Sequence, residues 1–244
     1  MTRYLINFSY DGSNYNGYQK QKGLNTIQGK IEEALKYINN DKYTKFSSSG
    51  RTDAFVHAIN QYGHADIDVN ITEYKLKRAL NSLLPDDIYV KNTSIVNDEF
   101  HSRYNAKKKE YRYKINIGEF NPIERKYVYQ LGKNLNIERM NEALSYIIGE
   151  HDFSLLSSNE HKEKNTIRTI YEAKIIKKDN YIIMSFIGNG FLKYMVRIIV
   201  GILIQIGLEK LQPIQMKKII DGEKIKNYKK IAPPEGLYLY DVKY

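Results

Sequence analysis

Ser47–Asp66, SSSGRTDAFVHAINQYGHAD, places two strand-like segments on either side of a short polar loop. Tyr43 to Ser49 reads as the first strand and Val56 to Ile67 as the second, with a break expected at Gly63. Between them Gly50, Arg51, Thr52, Asp53 and His57 fall close together. Gly50 lets the backbone turn or approach a ligand closely. Arg51 and Asp53 are two residues apart, so on an extended backbone they point the same way. A guanidinium beside a carboxylate keeps the carboxylate ionised. A held, ionised Asp in such a loop suits a nucleophile or a general base; an Arg–Asp pair that only closes the loop has the same signature.

Outward from this loop the elements order themselves. Tyr4, Ile6, Phe8 and Tyr10 alternate with polar or outward positions, a strand ended by Asp11–Gly12. A long polar loop, DGSNYNGYQKQKGLN, follows, and loops of that length are often functional. Thr26 can cap a helix with Ile27, Ile31, Ala34, Leu35 and Ile38 on its apolar face. Beyond the two strands, Thr72 caps a helix carrying Leu76, Leu80, Leu83 and Leu84, and Ile88 to Val96 is a strand. Strand, helix, strand, strand, helix, strand is the ferredoxin-like pattern. The second half repeats the order: strand Lys109 to Ile117, helix Ile137 to Ile148, strands Arg168 to Lys177 and Tyr181 to Ile187, a long apolar helix Phe191 to Leu208, a short helix beyond Pro213, and a last strand Gly236 to Tyr244. The fold class is therefore α+β, two related ferredoxin-like halves with a cleft between two sheets or along one. The junction falls near Ser102–Lys108, giving residues 1–103, with the Asp loop, and 104–244.

The 244 residues can bury a sizeable core, and 42% hydrophobic content separates the chain from disordered proteins. Lys and Arg number 38 against 28 Asp and Glu, a formal charge of +10, which favours a polyanionic partner, nucleic acid first. The absence of cysteine excludes disulfides, thiolate metal sites and Cys nucleophiles. The N-terminal MTRYLINFSYDG has no apolar core of signal-peptide length, and the longest apolar run, Ile198 to Leu208, is interrupted by Gln205 and too short to span a bilayer. A soluble, cytoplasmic protein is expected.

Two further stretches bear on chemistry. In Arg103–Lys114, RYNAKKKEYRYK, Lys107, Lys108, Lys109, Arg112 and Lys114 alternate with aromatic residues. On a strand Tyr111 and Tyr113 share one face and Arg112 and Lys114 the other, so basic groups can meet phosphates while rings stack on bases; a strand with a charged outer face has the same pattern. Arg197 lies in the apolar segment GNGFLKYMVRIIVGILIQIGL, with Lys193 one turn earlier. A buried Arg needs a partner, or else snorkels to the surface along its stem. His57, His64 and Asp66 match no familiar metal-ligand spacing. His151–Asp152 suits a cap or turn. Gly188-Asn189-Gly190, opening the apolar helix, could bind an anion. No P-loop, dinucleotide fingerprint or Gly-x-Ser-x-Gly elbow is present.

With Gly50 to Ala58 read as GRTDAFVHA, the chain resembles the tRNA pseudouridine synthase A family, whose GRTDAGVHA-like motif carries the catalytic Asp. YDGSNYNGYQKQ with NTIQGKIEEAL is similar to the family's opening, with Tyr18 where Trp is usual. FHSRYNAKKKEYRYKI is similar to the segment that supplies the active-site Tyr, which falls on Tyr111. GEHDF, IRTI, GFLKYMVRIIVG and APPEGLYLYDVKY follow in the family's order. The resemblance implies a pseudouridine synthase fold, a mixed and mainly antiparallel sheet from two related halves with a central cleft. It implies Asp53 as catalytic carboxylate, Tyr111 against the target uracil, and Arg197 paired with Asp53. It puts Gly50, Arg51, Thr52 and Leu237 beside the substrate and Lys107, Lys108, Lys109 and Arg112 on the RNA. It also implies a homodimer, uridines 38 to 40 of the tRNA anticodon stem-loop as targets, and no cofactor or metal. Departures are Phe55 where the family usually has Gly, Lys193–Tyr194 where an aromatic followed by His is commoner, and Ile198 where Asn is frequent. A Gly that needs positive φ would leave Phe55 strained; a Gly that only leaves room would make Phe55 narrow the pocket beside Asp53. A non-catalytic RNA-binding module, with Phe55 as the blocking change, is the alternative of a different class.

Overall fold

Strict alternation of inward and outward side chains makes Thr2–Tyr10 the first strand, β1, in a computed structural model that describes residues 1–158, 165–226 and 228–244. Tyr4, Ile6, Phe8 and Tyr10 are its buried set, as the sequence alternation requires. The chain divides into two compact units, residues 1–107 with 238–244, and residues 108–237.

In the first unit β1 is followed by helix α1 (Ile27–Ile38). Thr26 stands at the N-cap with extended backbone, but its hydroxyl makes no capping bond. Strand β2 (Ser47–Ser48) is far shorter than the expected Tyr43–Ser49. The residues before it bond to α1 and not to a neighbouring strand: Asn39 Nδ2 donates to Thr44 Oγ1 (2.9 Å) and the Phe46 N–H to the buried Glu32 carboxylate (3.2 Å). Strand β3 (His57–Ile67) begins just after the expected Val56 and runs unbroken through Gly63, contrary to the expected break. Gly63 pairs with both Ile6 and Ser48. The Phe46 ring, fully buried against Phe8, occupies the space above it: a Cβ at Gly63 would sit 2.2 Å from Phe46 Cζ. Helix α2 (Glu73–Leu83) starts at Thr72, whose Oγ1 accepts the Lys75 N–H. Leu76 and Leu80 are buried, whereas Leu83 is 41% exposed and Leu84 takes the inward position. Strand β4 (Ile88–Ile95) pairs antiparallel with the far edge of β1, so the sheet runs β4-β1-β3.

The second unit opens with β5 (Lys108–Asn116), to which a two-residue strand β6 (Tyr129–Gln130) adds in parallel. Helix α3 (Ile137–Ser145) is capped by Asn136 Oδ1 on the Arg139 N–H and ends before Ile148, which is exposed while Ile147 is buried. Strands β7 (Gly149–Asp152), β8 (Ile167–Lys178) and β9 (Tyr181–Gly188) form an antiparallel meander that continues through β9 onto β5. Neither β6 nor β7 was expected; His151–Asp152, read as a cap or turn, lies in β7. Helix α4 (Met195–Gly207) is apolar around almost its whole circumference and nearly every residue of it is buried. Helix α5 (Ile214–Ile220) follows Pro213. The last strand, β10 (Leu237–Lys243), pairs parallel with β3 at Tyr238–His57 and Leu239–Ala58. Its residues from Tyr238 onward belong to the first unit, although sequence order places them with the second half. No helix among the described residues is long and apolar enough to cross a membrane.

His64, Asp66 and His57, the cluster with no metal-ligand spacing, are each engaged separately. Arg3 holds Asp66 through two bonds of 2.7 Å across the β1–β3 pair and keeps that carboxyl below the usual range. His57 Nδ1 accepts the Gly12 N–H (3.1 Å), and its ring stacks on Tyr238. The Asp11 carboxylate is also 3.1 Å from that nitrogen, a contact that only a protonated ring could convert to an ion pair. His64 Nδ1 accepts the Ser102 N–H (3.2 Å), while the Ser102 hydroxyl donates to Ser47 O (2.6 Å). Burial, and after it the charges of His101 and Arg3, lowers the His64 pKa to about 4.

Two expectations follow from this packing. Gly63→Ala forces the Phe46 ring out of place, so thermal or urea unfolding should show a loss of about 1–3 kcal/mol; a wild-type midpoint would overturn the close-packing account. His64 is protonated in the unfolded chain below about pH 6.5 but in the fold only near pH 4. Stability is therefore lost as pH falls through that window, by at most about 2–3 kcal/mol. His64→Asn should flatten this part of the stability–pH curve, and an unchanged curve would rule His64 out as its source.

Candidate active site

The Asp53 loop is fixed through its backbone. Gly50 O accepts Ser48 Oγ (2.8 Å) and Gln61 Nε2 (3.0 Å), and Ser49 N–H donates to Tyr62 O (2.8 Å). The fully buried Gln61 also accepts the Ser49 hydroxyl through Oε1. Thr52 is buried, with its hydroxyl 2.8 Å from the Tyr10 hydroxyl and its carbonyl accepting the Tyr18 N–H (3.1 Å). Val56 N–H donates to Asp53 O (3.3 Å), closing a turn around residues 53–56, and Phe55 N–H donates to Tyr15 O (3.3 Å). Asp53 itself is half-buried.

The long polar loop of residues 11–25 supplies the other wall. Gly12 lies so close to the turn that a Cβ there would be 2.1 Å from Val56 O. Gly17 has φ +98°, and a Cβ on it would sit 3.2 Å from Ala54 N and 3.3 Å from Thr52 O. Only glycine combines that approach with that backbone. Tyr10, Gly12, Gly17 and Gln61 were not singled out from the sequence as parts of the site. Their one visible signal is the pair of glycines in a polar loop long enough to be functional.

Arg51 does not pair with Asp53. It is exposed and holds no ion pair among the described residues, so the loop-closing Arg–Asp pair is not what the structure adopts. Phe55 has φ +65° and is 47% exposed. Of the two alternatives for this position, the backbone takes the strained one: a bulky residue sits in the left-handed region that glycine occupies freely.

In the second unit Tyr111 lies on β5 opposite Phe186 of β9, is 8% exposed, and meets Phe191 edge-on at 5.0 Å. Tyr113 shares its face and is fully buried, donating to Pro233 O (2.7 Å). Burial pushes the Tyr113 phenol well above its ordinary pKa. Arg112, on the opposite face, donates from Nε to Glu110 (2.6 Å). Lys107 and Lys108 are exposed and Lys109 is half-buried. The Lys108 ammonium sits 5.2 Å over the Tyr171 ring. Leu237, the first residue of β10, is buried.

Arg197 neither snorkels freely nor stands alone in its apolar helix. Its Nε donates to Ala232 O (2.8 Å), its own carbonyl accepts the Ala232 N–H (3.0 Å), and its guanidinium lies 5.2 Å from the Tyr194 ring. Burial pushes the nearby Glu235 carboxyl above its ordinary range, and the Arg197 charge pulls it part of the way back. Two expectations about this segment are corrected. Tyr194 has φ +63°, which blocks helix before Met195, so Lys193 is not one helical turn ahead of Arg197 but lies outside the helix with its ammonium over Tyr194. Gly188-Asn189-Gly190 accordingly ends β9 and does not open a helix.

Phe55→Gly should leave stability unchanged or raise it by up to about 1 kcal/mol, because relief of the left-handed strain outweighs both the unfolded-state entropy of glycine and a half-exposed ring. Phe55→Ala keeps the strain and should not stabilise. Calorimetric midpoints compare the two, and a loss above about 1 kcal/mol for Phe55→Gly would show that ring packing dominates.

The family model described as tRNA pseudouridine synthase matches residues 6–105 and 143–244. The chain is 42% identical over 244 residues to tRNA pseudouridine synthase A of Anoxybacillus flavithermus, covering 100% of this chain and 99% of that protein. It is 40% identical over 245 residues to tRNA pseudouridine synthase A 1 of Bacillus cereus, with 100% and 99% covered. It is 38% identical over 246 residues to tRNA pseudouridine synthase A 2 of Bacillus anthracis, with 100% of both covered. A family match over most of the chain, together with relatives near 40% identity over its full length, shows that this chain belongs to the tRNA pseudouridine synthase A family.

Proposed function

We propose that the protein isomerises uridine to pseudouridine at positions 38 to 40 of the tRNA anticodon stem-loop, with Asp53 as the catalytic carboxylate and without a cofactor. The observation that carries this reading is GRTDAFVHA at Gly50–Ala58, in a chain of that family, on a loop whose backbone is bonded on both flanks. The reaction breaks the N1–C1′ bond, turns the uracil and joins C5 to C1′. C5 loses its proton and N1 gains one, so nothing is oxidised, reduced or hydrolysed.

The target base must first leave its stack, which costs roughly a few kcal/mol and is offset by contacts in the pocket. A fixed carboxylate can then attack the sugar, attack the base or take the C2′ proton. A loop held by backbone bonds delivers it in one direction, which favours any of the three. Arg197 supplies the positive charge that keeps a carboxylate ionised and oriented. Tyr111, on β5 and edge-on to Phe191, presents a ring to the uracil and a hydroxyl for proton removal from C5. Gly50, Arg51, Thr52 and Leu237 border the substrate, and Lys107, Lys108, Lys109 and Arg112 meet the phosphates. The enzyme works in the cytoplasm as a homodimer with tRNA across both subunits.

Asp53→Asn keeps the shape of the side chain and removes its charge. Tritium release from C5-labelled uridine in a tRNA pool should fall to background, while tRNA binding stays within a few-fold. Substantial release from Asp53→Asn would sink the assignment, and no release from the wild type would favour a binding module without turnover.

A further inference from the structure

A second feature of the first unit is a groove of about 610 Å³ between the loop of residues 20–26, the outer face of α1 and Tyr43. Lys20, Lys22, Lys30 and Lys36 line it, against Glu32 and Glu33. Glu32 is buried and already bonded by Lys20 (2.9 Å) and Gln28 (3.0 Å), so its charge is met within the protein. Among the described residues Glu33 has a weak ion pair with Lys30, at 4.0 Å. The rim therefore presents an excess of ammonium groups. Tyr43 is 67% exposed and its ring is flanked by the Lys20 ammonium at 5.5 Å. None of the Asp53 loop, Gly50 to Asp53, lines this groove.

We propose that this groove is a second RNA-binding site, which takes a stretch of the substrate tRNA away from the target uridine, with backbone phosphates on Lys22, Lys30 and Lys36 and an unpaired base on the Tyr43 ring. The proposal rests on the tRNA reading above and adds to it a contact outside the catalytic residues. Ammonium groups from a loop and two turns of a helix can follow a chain of phosphates. An exposed aromatic ring among them offers a base a stacking surface with no sequence requirement. The Lys20 ammonium lies over one face of that ring, which leaves the other face to a base and puts positive charge behind it. A solvated lysine face with no ligand would not call for a groove, nor for a large ring held open at its side.

Steady-state kinetics on whole tRNA test this. The double variant Lys22→Glu, Lys36→Glu should raise KM about tenfold with kcat within about twofold, and should reduce the dependence of log KM on log salt by roughly two phosphate contacts. Tyr43→Ala should raise KM about fivefold or more at unchanged kcat. Lys75→Glu with Lys210→Glu makes the same change in net charge elsewhere and should leave KM within about twofold. An unchanged KM in the groove variants, with the wild type turning over tRNA in the same assay, overturns the inference and leaves the enzyme assignment standing. A wild type that neither binds nor modifies tRNA brings down the assignment itself. Equilibrium binding of uridine monophosphate completes the test: loss of that binding in the groove variants with an unchanged tRNA KM would make the groove a free-nucleotide site and overturn the proposal.

Discussion

The contact on which the conformation of the Asp53 loop depends is the meeting of two backbones, the 11–18 loop and the 50–57 loop. A Cβ at Gly12 would collide with Val56 O, and one at Gly17, which has φ +98°, would press on Thr52 O and Ala54 N. The bonds from Tyr18 N–H to Thr52 O, and from Phe55 N–H to Tyr15 O, then stitch the surfaces together. A carboxylate on such a loop is aimed by peptide groups, which carry no rotamer freedom to lose. Loops are ordinarily the softest part of a domain. This one has buried anchors on both sides, Tyr10 with Thr52 and Gln61 with Gly50 and Ser49.

The second unit solves a different problem. An apolar helix that carries an Arg must satisfy it locally or lose stability. Here the segment after α5 returns to α4 and exchanges two hydrogen bonds with Arg197, one to its side chain and one to its backbone. The Tyr194 ring covers the guanidinium from the N-terminal side, and the left-handed backbone of Tyr194 sets where the helix starts. Tyr113 is drawn into the same segment through Pro233. The strand that carries Tyr111 is thereby tied to the stretch that holds Arg197.

The long amphipathic elements were legible because their apolar spacing is local: β1, α1, α2, β4, β8 and β9 lie within a residue or two of where alternation and helical periodicity place them. What escaped was set by partners distant in sequence. Nothing in TKFSS shows that Phe46 will turn onto Gly63, so the local pattern alone extends β2 back to Tyr43 and places a break at Gly63. Hydrophobicity carries α4 back to Phe191, because it cannot register the positive φ of Tyr194. Asp53, Tyr111 and Arg197 stand out by residue type and by family resemblance. The groups that hold them, Gln61, Gly12, Gly17 and the Ala232 peptide, are ordinary residues whose role exists only once the chain is folded. Arg51 illustrates the reverse error, since spacing on an ideal strand put it beside Asp53 and the actual loop turns it outward.

The position of β10 has a consequence for how the chain is made. Its residues from Tyr238 onward lie in the first unit, pairing with β3 where Tyr238 stacks on His57, beside the loop that carries Asp53. During synthesis the first unit emerges early, yet it lacks this strand until the whole second unit has been translated. The pairing joins His57 to Tyr238, residues far apart in sequence, and contacts of that kind form late and slowly. The N-terminal unit thus begins to assemble first and is completed last. A nascent chain can carry all of GRTDAFVHA while the strand that pairs with its last two residues is still inside the ribosome.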